Sequence, residues 1–220
     1  MKKTDNNLNI LRTIFVVSLI ISNVVTGKLF YTGIKLFGEV ITLPGAVLCY
    51  AITFLMTDVI GEIWGKQEAN KTVKYGFIGQ IIATALIVLT RYIPAADASM
   101  QSAYIQLLGQ NYIFVIGSLI AYWASQTWDV YIFHKIRNKF FSKGYKAKQK
   151  RWIWNNASTM TSQIIDTIFF IGISFGLGFG WAFDRNMWTV LCTMMIGQYV
   201  FKFILALLDT PFFILMTKNK

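Results

Sequence analysis

Long runs of apolar residues, separated by short polar connectors, make up most of the chain. A run can cross the roughly 30 Å hydrocarbon core of a bilayer as a helix of about 20 residues. Residues 1–220 therefore predict an all-α integral membrane protein, a single domain of six transmembrane helices. The predicted spans are Leu11–Phe30, Ile41–Ile63, Val73–Tyr92, Tyr112–Phe133, Ile153–Phe175 and Trp188–Leu208.

Two of these runs contain the same polar pattern, a Gln three residues before an Asp. SQTWDVYIF supplies Gln126 and Asp129, and SQIIDTIFF supplies Gln163 and Asp166. Residues three apart share one face of a helix. Because a carboxylate at bilayer depth costs roughly 2.5–3.5 kcal/mol or more, the pairs favour a buried polar site. Hydrogen bonds that only hold helices together are the alternative. We also predict that the fourth and fifth helices face one another, so that the two pairs converge.

Other ionisable side chains also lie in apolar runs. Asp58 and Lys202 fall between the bilayer midplane and its cytoplasmic third, and Glu62 follows Asp58 by one turn. One Lys neutralises only part of the charge of three Asp residues, so a proton, a cationic substrate or water must supply the rest. Lys202 could equally form a structural ion pair, and Glu62 could be a solvated helix end.

The charge distribution predicts orientation and excludes one class of partner. The net charge of +11 would suggest nucleic acid in a soluble chain, but 55% of the residues are hydrophobic and the basic residues lie mainly between the apolar runs. The amino terminus, second connector, fourth connector and carboxyl tail hold 3, 3, 8 and 2 of the 21 Lys and Arg. Both termini are therefore predicted to be cytoplasmic, with the lipid bilayer and not nucleic acid as the partner.

Aromatic residues beside the polar positions indicate a flat ligand. Tyr131 follows the first pair, and Gln198 and Tyr199 precede Lys202, deeper than an interfacial aromatic belt requires. A carboxylate accepts two parallel hydrogen bonds from a ring N–H and an exocyclic amine, an amide matches a neighbouring donor–acceptor edge, and an aromatic ring stacks. The combination suits a guanine-like heterocycle.

Three segments carry a family resemblance: LCYAITFLMTDVIGEIWGK (Leu48–Lys66), NNASTMTSQIIDTIFF (Asn155–Phe170) and YVFKFILALLDTPFF (Tyr199–Phe213). In this order they resemble the queuosine precursor transporter family, also called VUT, which comprises bacterial inner-membrane proteins of six helices. The resemblance implies uptake of 7-cyano-7-deazaguanine or 7-aminomethyl-7-deazaguanine, precursors of a modified tRNA base. The family is also similar to the substrate-binding components of energy-coupling-factor vitamin transporters. Asn155, Asn156 and Asp209 join the candidate site through this resemblance.

The predicted function is import of such a precursor by a multi-pass protein of the bacterial cytoplasmic membrane. An energy-coupling-factor substrate-binding component and a non-transporting membrane scaffold are the alternatives. The candidate substrate-binding residues are Asp58, Glu62, Gln126, Asp129, Tyr131, Asn155, Asn156, Gln163, Asp166, Gln198, Tyr199, Lys202 and Asp209.

Enzymatic, metal and cofactor functions are not predicted. Gly172–Gly176 matches a nucleophile-elbow pattern, but the single histidine, His134, ends another apolar run. Cys49 and Cys192 lack metal-ligand spacing. The chain has no Walker-type loop, so ATP use would need separate subunits. Two stripes of small residues at four-residue spacing could mediate a homodimer, although packing within one chain is the expected use: Gly172, Gly176 and Gly180, and Ser18, Ser22 and Thr26.

Overall fold

The computed structural model describes residues 1–142 and 160–217. Six segments in this part of the chain are long and apolar enough to cross a membrane, which confirms the predicted all-α membrane protein with six spanning helices. The elements are α1 (Asp5–Val25), β1 (Leu29–Leu36), β2 (Glu39–Pro44), α2 (Val47–Trp64), α3 (Lys66–Arg91), α4 (Ala98–Leu108), α5 (Asn111–Ser142), the described part of α6 (Met160–Leu177) and α7 (Arg185–Thr217).

A β-hairpin joins α1 to α2, and both of its outer ends overlap segments that the sequence predicts as helix. Its antiparallel strands pair Leu29 with Pro44 at the base and Leu36 with Glu39 near the tip. Phe37 and Gly38 both have positive φ, as a two-residue hairpin turn requires. The predicted helices Leu11–Phe30 and Ile41–Ile63 are therefore wrong at their facing ends, because hydropathy does not distinguish an apolar strand from an apolar helix.

Contacts divide the chain into two compact units, Met1–Val115 with Cys192–Lys220, and Ile116–Leu191. The first unit, called unit 1 below, has a cluster of buried apolar residues on α1 and α2. Helix α3 approaches α1 at Gly76, where an added Cβ would lie 2.6 Å from Phe15 Cε1 and 2.8 Å from Leu19 Cδ2. Small residues allow such close packing in membranes, where burial of apolar surface gives little driving force.

Helix α4 lies between the predicted spans Val73–Tyr92 and Tyr112–Phe133. It lies along the end of α3, because Gln101 Nε2 donates to Arg91 O at 3.1 Å and Tyr104 Oη donates to Ile87 O at 2.9 Å. The fourth apolar segment is Ala98–Ser125, so it begins earlier than the predicted Tyr112–Phe133. Direct pairing of α4 side chains with backbone carbonyls of α3 is not visible in hydropathy.

The second unit, Ile116–Leu191 (unit 2 below), contains a close approach of α5 and α6. An added Cβ at Gly117 would lie 2.5 Å from Ser174 Oγ. Ser174 belongs to a π-helical turn, Gly172–Leu177, at the end of α6. Gly180 has a left-handed φ of 74° and precedes the 3₁₀ turn Trp181–Phe183. The predicted glycine stripe therefore does not extend to Gly180 as a helix face.

Candidate functional site

Helix α7 carries two buried polar side chains one turn apart in unit 1. Gln198 is 0% exposed and Lys202 is 6% exposed. Residues four apart share a helix face, and the fully buried Met194 continues this face one turn earlier. The sequence singled out both polar residues, and the structure brings them together inside the unit.

Lys202 lies over the ring of Tyr50, a residue of α2 in the same unit. Its Nζ is 4.9 Å from the ring centroid, a cation–π contact that offsets part of the cost of burying the ammonium group. Thr53, also buried, donates its hydroxyl to Tyr50 O at 2.9 Å. Sequence reasoning missed Tyr50, because nothing local shows which helix faces Lys202.

Gln198 differs from an ordinary buried amide. Neither its Oε1 nor its Nε2 has a hydrogen-bond partner among the residues that the structure describes. Each buried donor or acceptor without a partner costs about 1–3 kcal/mol. A carboxamide offers two N–H donors and an acceptor oxygen in one plane. This side chain can therefore pair with the donor–acceptor edge of a planar polar ligand.

The second Gln/Asp pair lies on α6 in unit 2. Gln163 and Asp166 are both half-buried, and the neighbouring Ser162 and Thr167 are buried. Gln163 Oε1 is buried and has no hydrogen-bond partner within the described ranges 1–142 and 160–217. The second pair thus also presents an acceptor that a ligand could satisfy.

The first Gln/Asp pair, Gln126 and Asp129, lies on α5, but these two side chains are outside the described residues. Helices α5 and α6 do contact each other at Gly117 and Ser174. The convergence of the two pairs stays a prediction.

Tyr131 is exposed, and it contacts other residues of its own helix, α5. Lys135 Nζ donates to Tyr131 Oη at 3.3 Å and lies 5.2 Å from the ring centroid. The ring also tilts against Trp128, with the two centroids 6.1 Å apart.

The other candidate residues have varied positions. Asp58 and Glu62 are exposed on α2, and Tyr199 is half-buried on α7. Asn155 and Asn156, and the side chain of Asp209, lie outside the described residues. Among the described residues, no group of three or more His, Cys, Asp and Glu could hold a metal ion.

A second polar cluster in unit 1 was not predicted. Gln80 Nε2 donates to Thr84 Oγ1 at 3.4 Å, and the Thr84 hydroxyl donates to Asn111 Oδ1 at 3.4 Å. Asn111 Nδ2 in turn donates to Asn23 O at 3.1 Å, which links α3 and α5 to α1. The sequence shows these amides within apolar segments, but it does not show which helix faces meet. Their hydrogen bonds to other helices could therefore not be predicted.

Comparisons with known proteins bear on this chemistry. The family model described as "Putative vitamin uptake transporter" matches residues 44–216. A curated relative from Bacillus subtilis (strain 168), the "Probable queuosine precursor transporter", is 33% identical over 180 residues, which cover 81% of this chain and 72% of the relative. No solved structure matches the chain. The family match includes α2 to α7 and therefore both Gln198 and the pair on α6.

Proposed function

The chain belongs to the vitamin uptake transporter (VUT) family, and from this premise we propose that it imports a queuosine precursor across the bacterial cytoplasmic membrane. The precursor is 7-cyano-7-deazaguanine or 7-aminomethyl-7-deazaguanine. Six apolar helices and the related transporter make the chain a multi-pass bacterial membrane protein.

The observation that carries the proposal is the buried amide of Gln198, which has no hydrogen-bond partner among residues 1–142 and 160–217 as the structure describes them. A deazaguanine presents a carbonyl oxygen beside a ring N–H on one edge. The amide N–H of glutamine donates to such a carbonyl while its oxygen accepts from the ring N–H, so the two planar groups make parallel hydrogen bonds. A ligand without this edge leaves the buried amide unsatisfied and therefore binds more weakly, so the amide selects ligands that carry the edge.

The Gln/Asp pairs of unit 2 are proposed to contribute in the same way. Asp129 and Asp166 accept N–H donors of the base, and Gln126 and Gln163 complete its edge. Support comes from the buried Gln163 Oε1, which lacks a partner in the described part of the chain. A double-mutant cycle of Gln163 with Asp166 tests whether the two residues of the pair on α6 recognise the same molecule, because coupled residues give non-additive losses.

Binding by purified protein tests the substrate. We expect both deazaguanine precursors to bind more tightly than riboflavin or biotin. Vitamin uptake is the second candidate function, favoured by the description of the matching family.

Asp166→Asn should weaken precursor binding by roughly 10- to 150-fold, since a hydrogen bond to a charged group contributes about 1.5–3 kcal/mol. Asp5→Asn, at an exposed carboxylate in the first turn of α1, is the matched control. Unchanged affinity in Asp166→Asn contradicts the proposed role of the pair.

Transport by liposomes containing only this protein separates transport mechanisms. Uptake without further subunits opposes an energy-coupling-factor component, which needs an energising partner. An inward proton gradient should drive 7-cyano-7-deazaguanine above its external concentration if a carboxylate of the Gln/Asp pairs carries the proton, and an ionophore should collapse that accumulation. Equal concentrations on both sides, with or without the gradient, indicate facilitated diffusion.

A further inference from the structure

The buried end of strand β2 lies directly on helix α7 at Gly197. A Cβ added to Gly197 would lie 2.2 Å from Ile41 Cγ2 and 3.3 Å from Leu43 Cδ2. Side-chain atoms do not approach a real Cβ as closely as 2.2 Å, so the strand occupies space that any other residue at position 197 would fill. The missing side chain lets the hairpin reach the backbone of α7.

This contact lies well inside an apolar segment. Gly197 is the thirteenth residue of α7, which begins at Arg185, so it lies about 18 Å along the helix axis. Non-helical backbone at membrane depth must be buried in protein or line a polar cavity. Pairing with β1 satisfies backbone groups of β2, and Gly45 N donates to Lys28 O at 2.7 Å where the hairpin closes.

The same strand end contacts the turn of α7 that carries Gln198. Gln198 follows Gly197 directly and is fully buried. Helix α2, which supplies Tyr50, begins at Val47, three residues after β2 ends at Pro44. Leu43 is buried at 1% exposure, and its Cδ2 would lie 3.3 Å from a Cβ at Gly197, so the strand brings an apolar side chain against this turn of α7.

We infer that the end of β2, seated on Gly197, is a wall of the Gln198 site that restricts it to thin, planar ligands. The inference rests on the proposed function and adds Gly197 and Ile41 as positioning residues that determine specificity. An apolar wall packs against the face of a flat ring while the amide of Gln198 reads its edge. A ligand with a bulky saturated substituent meets the side chain of Ile41.

The wall is tested by filling the space at position 197 and then restoring it with a second substitution. Gly197→Ala should weaken binding of 7-cyano-7-deazaguanine by roughly 5- to 150-fold, the range of a usual overpacking penalty. Ile41→Ala in the same chain should restore affinity, because it removes Cγ2 and leaves Leu43 Cδ2 at 3.3 Å and the Cβ of residue 41 at 3.6 Å as the nearest neighbours of the new Cβ. Ile41→Val retains Cγ2 and should not restore it. Gly61→Ala is the matched control, since its Cβ would meet only Ala69 Cβ at 3.8 Å.

Ligand discrimination gives a readout that general destabilisation would not move. With Gly197 unchanged, Ile41→Ala should reduce the preference for 7-cyano-7-deazaguanine over guanosine, whose ribose adds thickness to a related base, by roughly tenfold or more. This variant only removes bulk, so it remains informative if Gly197→Ala does not fold.

The inference and the proposed function fail by different outcomes. The inferred wall is contradicted if Gly197→Ala binds with wild-type affinity. It is also contradicted if neither Ile41→Ala nor Ile41→Val restores binding when combined with Gly197→Ala. Unchanged discrimination between 7-cyano-7-deazaguanine and guanosine in Ile41→Ala also contradicts the wall. In each of these cases, a loss of precursor binding in Gln198→Leu would still support the proposed function. If neither precursor binds the wild-type protein, the proposed function itself fails.

Discussion

Asn111 and Gln198 are both buried carboxamides of unit 1, yet their surroundings differ. Asn111 uses both ends of its amide: Nδ2 donates to Asn23 O and Oδ1 accepts from Thr84. Gln198 has no hydrogen-bond partner for either end among the described residues. The same functional group therefore stabilises helix contacts in one place and is available for recognition in the other.

The difference has a physical basis in the bilayer. Lipid tails are as apolar as leucine, so helices associate through close packing and interhelical hydrogen bonds. A satisfied amide contributes to that association. An unsatisfied amide opposes folding, and its retention is typical of a site where function costs stability.

The largest effect is expected for Gln198→Leu, measured as ligand affinity. A ligand group left buried without its partner costs about 1–3 kcal/mol, so binding of 7-cyano-7-deazaguanine should weaken by roughly 5- to 150-fold. The melting temperature of the ligand-free protein should not fall, because the substitution removes an unsatisfied polar group. Isothermal titration and thermal unfolding in detergent measure the two quantities.

Gln106→Leu, at an exposed position of α4, is the matched control and should change neither quantity. A clear loss of stability in Gln198→Leu with wild-type affinity would make Gln198 a structural amide like Asn111. The contrast between a structural amide at Asn111 and a recognition amide at Gln198 would then not hold.

A smaller and opposite effect is expected for Asn111→Leu, measured as stability. Removing its two hydrogen bonds should lower the free energy of unfolding by about 0.6–2 kcal/mol, the range of interhelical bonds in membrane proteins. Ligand affinity of the folded protein should be unchanged. Asn70→Leu, at an exposed position of α3, controls for the change in polarity. A stabilised Asn111→Leu protein contradicts the structural role.

The smallest effect is expected at Asp97, which caps α4 outside the buried clusters. Its carboxylate accepts hydrogen bonds from the Ser99 side chain and from Ser99 N, and these bonds hold the pKa of Asp97 below its usual value. Because the folded state lowers the pKa, the cap contributes above the ordinary Asp value of about 3.9 and is lost as pH falls through the lowered pKa.

Hydrogen exchange of the first turn of α4 measures this cap. Asp97→Ala at neutral pH should reduce protection there, and acidification of the wild-type protein below about pH 4 should do the same after correction for intrinsic exchange rates. Protection elsewhere should not change in Asp97→Ala. Full protection of the first turn in that variant contradicts the capping role and shows that α4 is held by its contacts with α3 alone.

The sequence alone was sufficient for the membrane class, the six apolar helices and the family. These properties depend on segment length, hydropathy and motif order, all of which are local. The placement of Gln163 and Asp166 on one helix was also predictable, since it follows from a three-residue spacing.

Tertiary structure decided which buried polar groups have partners. The ring of Tyr50 under Lys202 and the strand end of β2 on Gly197 depend on neighbours distant in sequence. So does the lack of a partner for the Gln198 amide within the part of the chain that the structure describes. Hydropathy records how apolar a segment is, but it does not record which face meets which neighbour. A hydrogen bond is satisfied only when a specific donor and acceptor meet at the right distance and angle, and in this chain the folded arrangement of helices and hairpin determines where that happens.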